Sequence, residues 1–293
     1  MSLFSIERRT VFIALLTLVG FVSIVVMATL QYRAVNEYRL LGEMRVQVSD
    51  IQSNVLTLRR NEKDFIARKD LLYRQKFVDN FHLIQTNVEA LGAGLQHSGV
   101  RLTALDRLVE ILETYKKRFL DIVELQKAIG FHHEDGFYGG LRDAIHQVED
   151  ILLALRQGRL IKDMLMLRRQ EKDFMLRKDA KYVEKFDQDM IIMRSDLSNA
   201  YLDHGAKRDI STALSAYEKD FKALVSATQK IGFSSNDGLH GEMRRIIHKS
   251  EGILSELRQD ILLQESSAGS SMINQLIAFA IVLTLLIGTL IRL

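Results

Sequence analysis

The sequence lacks proline and cysteine entirely, although it contains 293 residues. At ordinary usage of about 5%, a chain of this length would carry roughly fifteen prolines. Proline is the residue most damaging to a helix interior, so its absence favours long uninterrupted helices. The absence of cysteine excludes a disulfide framework, and an oxidising compartment is therefore permitted but not required.

The chain also lacks a strong charge of either sign. Its net charge is only +3, while charged residues make up 26% of the sequence, with basic and acidic side chains interleaved. No basic stripe typical of a nucleic-acid-binding surface is present, so nucleic acid is excluded as a partner. Abundant charge together with leucine, isoleucine and alanine favours amphipathic helices over strands.

Two apolar runs lie near the chain ends, at residues 11–30 and 273–291. Each is about 20 residues without a charge, which spans a hydrocarbon core of roughly 30 Å as a helix. The first run is too long for a signal peptide and has no cleavage site, which predicts an uncleaved anchor. Arg8 and Arg9 before it, and Arg292 after the second run, predict that both termini are cytoplasmic. The expected organisation is a short N-terminal segment (1–10), a first span (11–31), one large extracytoplasmic domain (32–271) and a second span (272–293).

Two sequence repeats divide the extracytoplasmic domain into similar modules. Residues 58–70 (LRRNEKDFIARKD) match residues 167–179 (LRRQEKDFMLRKD), and residues 129–142 match residues 231–244. Each module reads as a long helix, a turn, a helix, a glycine loop and a further helix. Gly130, Asp135 and Gly136 are the expected turn residues of the first loop, and Gly232, Asp237 and Gly238 those of the second.

The repeats also predict how the helices are grouped. Each of the two hairpins, 70–129 and 179–231, is expected to begin and end at the same level as a repeated Lys-Asp pair, at 69–70 or 178–179. Together the hairpins are expected to form a membrane-distal bundle. Segments 32–68, 141–177 and 241–270 are expected to form a proximal bundle, with a chain reversal at Gly158. The predicted fold is all-α: two stacked four-helix bundles of six helices, two long and four short, flanked by two transmembrane helices.

The duplicated motif, the paired Asp-Gly loops and the flanking spans resemble the helical bimodular sensor domain of bacterial chemoreceptors and some sensor histidine kinases. The resemblance covers nearly the whole extracytoplasmic part. It implies a dimeric, two-pass receptor in lipid of the bacterial inner membrane, with its sensor domain in the periplasm. Such a receptor binds a small organic acid or a periplasmic binding protein. Family members continue past the second span into a signal-converting helix pair and an output region, whereas this sequence ends at Leu293.

Anion binding is the candidate chemistry, because guanidinium groups form bidentate hydrogen bonds with carboxylates. The candidate ligand-binding residues are Arg59, Arg60, Lys63, Arg168, Arg169 and Lys172. Adjacent arginines on a helix point about 100° apart, so only one of each pair can face the bundle interior. Arg60 and Arg169 are expected to face inward, where a four-carbon diacid could bridge them.

A structural network is the alternative interpretation of the same motif. Charged residues at three- and four-residue spacing form ordinary intrahelical ion pairs worth about 0.3 to 0.5 kcal/mol each. Phe65 and Phe174 are expected in the core, and the structural motif comprises Glu62, Asp64, Phe65, Glu171, Asp173 and Phe174.

The sequence offers no catalytic arrangement and predicts no cofactor. The run from His132 to Asp135 contains metal-ligand residue types, but the matching loop of the second module keeps only the Asp-Gly turn, so no metal site is expected. No nucleophile elbow or phosphate loop is present, so the protein is not expected to be an enzyme. Two further functions stay open: a sensor-kinase input domain that reads a periplasmic binding protein, and a membrane-tethered helical stalk.

Overall fold

The computed structural model describes residues 3–97 and 103–292, and these ranges contain eight α-helices and no strand. The first four helices are α1 (Leu3–Arg68), α2 (Leu71–His97), α3 (Thr103–Ile129) and α4 (Gly136–Ala154). The others are α5 (Gly158–Arg177), α6 (Lys181–Asn199), α7 (His204–Ile231) and α8 (Gly238–Arg292). The all-α class is therefore confirmed. Beside the two long helices, this part of the chain contains six shorter ones rather than the four expected.

The ends of the helices follow local sequence signals. The side chain of Asp203 caps α7 by accepting a hydrogen bond of 2.9 Å from the backbone N–H of Ala206. The reversal expected at Gly158 is present, because α4 ends at Ala154 and α5 begins at Gly158. The turn expected just after His97 lies mostly outside the described residues.

The two long helices, α1 and α8, contain the two apolar segments. Both helices are long and apolar enough to cross a membrane. Their apolar side chains are largely exposed, for example Phe21 at 66% and Leu285 at 65%. A helix in the core of a soluble protein would bury such side chains, so the exposed apolar surfaces of α1 and α8 are compatible with two membrane spans.

The chain divides into two compact units. Unit 1 comprises Met1–Thr57, Asn80–Val109 and Glu251–Leu293. Within it, the side-chain amide of Asn80 donates to the carbonyl of Asn54 at 2.7 Å, so α2 lies along α1. Arg107 of α3 forms an ion pair of 2.6 Å with Glu256 of α8. Parts of α1, α2, α3 and α8 therefore share one core.

Unit 2 comprises Leu58–Asp79 and Glu110–Ser250, and it contains α4 to α7 together with the adjoining ends of the other helices. Helix α5 lies against α6, where Arg159 donates two hydrogen bonds of 2.7 Å to Asp196. Helix α6 is joined to α7 by the ion pair of Arg194 with Glu218 at 2.9 Å. Unit 2 contains both copies of the thirteen-residue repeat.

The grouping of hairpins differs from the one predicted. Residues 70–129 were expected to pack with 179–231 along their length, but residues 80–109 of this hairpin belong to unit 1 with parts of α1 and α8. Residues 110–129 do share unit 2 with 179–231, and residues 141–177 also lie in that unit and contact 179–231. The physical reason is the backbone after each repeat. Lys69 and Lys178 adopt left-handed conformations, with φ of 51° and 50°, and the following helix returns along the preceding one. The sequence predicted where each hairpin begins but not the direction in which it turns.

Candidate functional site

The sequence repeat is reproduced in the aromatic core of unit 2. The rings of Phe65 and Phe119 meet edge-to-face with centroids 5.4 Å apart, and Phe174 and Phe221 do the same at 5.6 Å. The stacked pairs Phe77–Phe119 and Phe186–Phe221 both have centroids 3.9 Å apart. We call the parts of unit 2 that contain the first and the second copy of the repeats its two halves. The two halves therefore share one internal geometry, and Phe65 and Phe174 are buried as expected.

A glutamate is buried at the same place in each half. Glu62 and Glu171 are each only 2% exposed. The hydroxyl of Tyr115 donates to Glu62, and that of Tyr217 donates to Glu171 at 2.6 Å. Burial, and then the neighbouring carboxylate, raises the pKa of both tyrosines, which therefore stay neutral hydrogen-bond donors.

The lysines next to these glutamates complete the two networks. The ammonium groups of Lys63 and Lys172 each lie 2.6 Å from the neighbouring carboxylate, Glu62 or Glu171. Because buried carboxylates need partners, both lysines have a structural role in the observed state. The contacts of these two candidate ligand residues match the network interpretation.

The arginines do not lie where they were expected. Arg60 is exposed, and the side chain of Arg169 is 71% exposed and lies 3.9 Å from Asp173. The expectation that these two face the bundle interior is wrong. Leu58, Glu62 and Phe65 form the buried seam of α1, and position 60 is turned about 200° from position 58.

The remaining motif residues form pairs near the helix surface. Arg168 lies 3.2 Å from Glu149, while Arg59 is half-buried. Two of the acids make intrahelical pairs at four-residue spacing, Asp64 with Arg68 at 3.5 Å and Asp173 with Arg177 at 3.3 Å. Such exposed pairs contribute little to stability.

A cavity of about 90 Å³ lies within unit 2, between the two halves of the repeat. Its fourteen lining residues are seven matched pairs, one member from each half. The pairs are Phe65/Phe174, Ile66/Met175, Lys69/Lys178, Ile122/Leu224, Gln126/Thr228, Ile129/Ile231 and Tyr138/His240. The cavity therefore lies on an approximate two-fold axis that relates the halves.

Two lysines that line the cavity, and that are also exposed to solvent, give it its charge. Lys69 follows α1 and Lys178 follows α5, and their backbone N–H groups donate to the carbonyls of Phe65 and Phe174 at 2.7 and 2.8 Å. Burial, and then the positive charge of Lys69, lowers the pKa of Lys178. The left-handed conformation costs a residue with a side chain roughly 1 to 2 kcal/mol, and glycine usually occupies it at helix ends. Both halves nevertheless place a lysine there.

The two glycine loops position the last pair, Tyr138 and His240. Gly136 and Gly238 have φ of 51° and 52°, which lets the chain turn into α4 and α8. Tyr138 and His240 then lie in the first turns of these helices. The ammonium of Lys69 lies 3.5 Å from the hydroxyl of Tyr138 and 5.6 Å from the centre of its ring.

His240 is the asymmetric member of the site. Its Nε2 is buried and has no hydrogen-bond partner, while the ring also bonds to the backbone of Ser234. Burial, and then the positive charge of Lys63, lowers the pKa of His240. The imidazole is therefore held neutral in this state.

The cavity has the properties of a site for a small anion. Among its described lining residues are two lysines, a histidine and a tyrosine, and none is a carboxylate. A cavity of about 150 Å³ holds benzene, so one of about 90 Å³ holds roughly four non-hydrogen atoms. The site therefore suits an anion as small as formate or acetate.

Sequence reasoning missed four residues of this site: Lys69, Lys178, Tyr138 and His240. Both lysines belong to the thirteen-residue repeat, but they were interpreted only as part of the Lys-Asp pairs that mark the level at which each hairpin begins and ends. Tyr138 and His240 occupy aligned positions of the two glycine loops. A cation repeated at a helix end that would ordinarily favour glycine was the available signal.

Comparison with known proteins assigns no family to this chain. No protein-family model matches the sequence, and no curated protein is significantly similar to it. The function is therefore argued from the cavity and the helices themselves.

Proposed function

We propose that this protein is a transmembrane receptor whose extracytoplasmic helical domain binds a small organic acid and transmits the signal by helix displacement. The observation that carries the proposal is the cavity of unit 2, where Lys69 and Lys178 present two positive charges between matched halves. A carboxylate placed there would form charge-assisted hydrogen bonds and offset the repulsion between the two ammonium groups.

The cavity suits a smaller ligand than the four-carbon diacid that was predicted from the arginines. A four-carbon diacid has eight non-hydrogen atoms, about twice what a cavity of about 90 Å³ accepts. Arg60 and Arg169 are exposed and cannot bridge a ligand inside the bundle without a rearrangement. The proposed ligand is therefore a small monocarboxylate, and the proposed site is the lysine pair.

Transmission follows from which helices carry the lining residues. Lys69 directly follows α1, the helix that contains the first apolar segment, and His240 lies in the first turn of α8, which contains the second. A ligand that shifts either residue therefore shifts the end of a helix that reaches the membrane. The effect can be no larger than the difference in ligand affinity between the two states. A two-pass inner-membrane dimer with both termini cytoplasmic is the arrangement that this proposal adopts.

The first test is the thermal stability of the full chain in lipid nanodiscs with a panel of small carboxylates. Occupancy at 100 times the dissociation constant adds about 2.7 kcal/mol to the free energy of unfolding. We expect a rise in Tm with one- to three-carbon acids that disappears in the double variant Lys69→Gln, Lys178→Gln. Lys219→Gln, at an exposed position of α7, is the matched charge control and should keep the rise.

The second test asks whether binding moves the membrane helices. The chain has no cysteine, so spin labels at Thr29→Cys and Ser271→Cys would be unique. We expect the acid to change the distance between these labels by an ångström or more. Binding without any such change would contradict the receptor function, and a lack of stabilisation by every acid would favour a helical stalk.

A further inference from the structure

We propose that the cavity of unit 2 takes up one small anion together with one proton, and that the imidazole of His240 holds the proton. The ligand class rests on the proposed function, whereas the proton is a separate property of the same site. Occupancy would then depend on the acid concentration and on the external pH at once.

The pair Tyr138/His240 is the geometric basis of this inference. Two of the seven lining pairs differ in their polar groups. Of the seven, only the pair Tyr138/His240 contains a group that titrates near neutral pH. Nε2 of His240 is buried without a partner. Because the ring already bonds to the backbone of Ser234, that bond is assigned to Nδ1. The neutral ring then carries a lone pair at Nε2, where a proton would create a new donor.

The charges around His240 explain why it is neutral when the cavity is free. Lys63 and Lys178 disfavour the imidazolium, Glu62 favours it, and burial is the largest effect, so the pKa of His240 is lowered. Lys69 and Tyr138 also line the cavity, and the residues contributed by α3 and α7 are uncharged. The free site therefore holds two ammonium groups and a neutral ring.

An anion reverses this balance. A carboxylate between Lys69 and Lys178 places a negative charge in a partly buried cavity that His240 also lines, which raises the pKa of the imidazole. The proton comes from solvent and adds to Nε2, while the carboxylate stays ionised. A neutral ring with a lone pair near the anion would oppose binding, so the protonated state binds more tightly.

Isothermal titration of acetate into the full chain in nanodiscs tests this coupling. We would measure binding at about pH 6.5 in two buffers with different ionisation enthalpies. The difference in binding heat should correspond to uptake of up to one proton for each acetate. The dissociation constant should fall by up to about tenfold for each unit that the pH is lowered through the window in which His240 gains its proton.

The control variants separate the proton from the anion. His240→Tyr places the residue of the first half in the second, and it should still bind acetate while losing both the buffer effect and the pH dependence. Lys219→Gln should leave both unchanged, and the double variant Lys69→Gln, Lys178→Gln should abolish binding.

The outcomes distinguish this inference from the proposed function. Acetate binding that depends on the lysines but shows no proton uptake would overturn the inference and leave the receptor proposal intact. A pH dependence that persists in His240→Tyr would likewise overturn it. If formate, acetate and propionate all fail to bind at about pH 6 and at about pH 8, both proposals are wrong.

Discussion

The two halves of unit 2 contribute the same scaffold to the cavity but not the same chemistry. Five of the seven lining pairs are alike: one pair of phenylalanines, one pair of lysines and three pairs of aliphatic or thioether side chains. The other two pairs, Gln126/Thr228 and Tyr138/His240, differ in their polar groups. The shared residues build and charge the cavity, whereas the differing residues give its two ends different hydrogen-bonding properties.

Substitutions in the phenylalanine pair should have the largest effect on the free energy of unfolding. Phe65→Ala and Phe174→Ala each remove a fully buried ring, and each should lower the free energy of unfolding by about 3 to 5 kcal/mol. Equal losses would confirm that the halves are energetically equivalent. Denaturant unfolding followed by circular dichroism measures the losses, with Leu176→Ala, at a side chain 78% exposed, as the control. A tolerated substitution in one half would show that its core is not equivalent.

The tyrosine pair should show the next largest effect. Tyr115→Phe and Tyr217→Phe each leave a buried carboxylate, Glu62 or Glu171, without its hydroxyl partner, at a cost of about 1 to 3 kcal/mol. Tyr201→Phe is the control, since Tyr201 is fully exposed. Thermal unfolding compares the three variants, and a cost no larger than that of the control would contradict the role given to these networks.

Substitution of a lysine of the cavity should raise the stability of the fold rather than lower it. Lys178→Gly removes a side chain from a left-handed backbone position and relieves repulsion from Lys69, so stability should rise by roughly 1 kcal/mol while acetate binding weakens. Arg156→Gly is a matched control, because Arg156 also has a positive φ of 54° but does not line the cavity. The Arg156→Gly variant should gain stability and keep its affinity for acetate. A loss of affinity in both variants would contradict a specific role for Lys178.

The smallest effect is the pH dependence of stability without ligand. The pKa of His240 is lowered in the folded state, so the unfolded chain binds a proton that the folded chain does not. Stability is fully present above the ordinary histidine value of about 6.5 and falls as the pH drops toward the lowered value. Melting curves of the wild type and of His240→Tyr should therefore diverge below about pH 6.5. Parallel curves would show that the imidazole is not held neutral.

The sequence was sufficient for the helical class and the repeats, but neither for the number of short helices nor for the site. Proline-free periodic segments predicted the helices, and the reversal near Gly158 followed from a single glycine. The direction of each hairpin depends on the backbone at Lys69 and Lys178, which no periodicity reports. The buried seam of α1 at Leu58, Glu62 and Phe65 was one of several that the motif allowed, so the inward-facing arginine could not be chosen.

The approximate two-fold axis through the cavity has a consequence for how such a site can diverge. In a symmetric dimer of identical short chains, any substitution on the axis would occur twice, and the site would contain two tyrosines or two histidines. Because both halves belong to one polypeptide, Tyr138 and His240 can differ while the surrounding scaffold stays matched. An unsymmetrical guest therefore meets two distinguishable ends and can adopt a single orientation, which identical subunits could not impose.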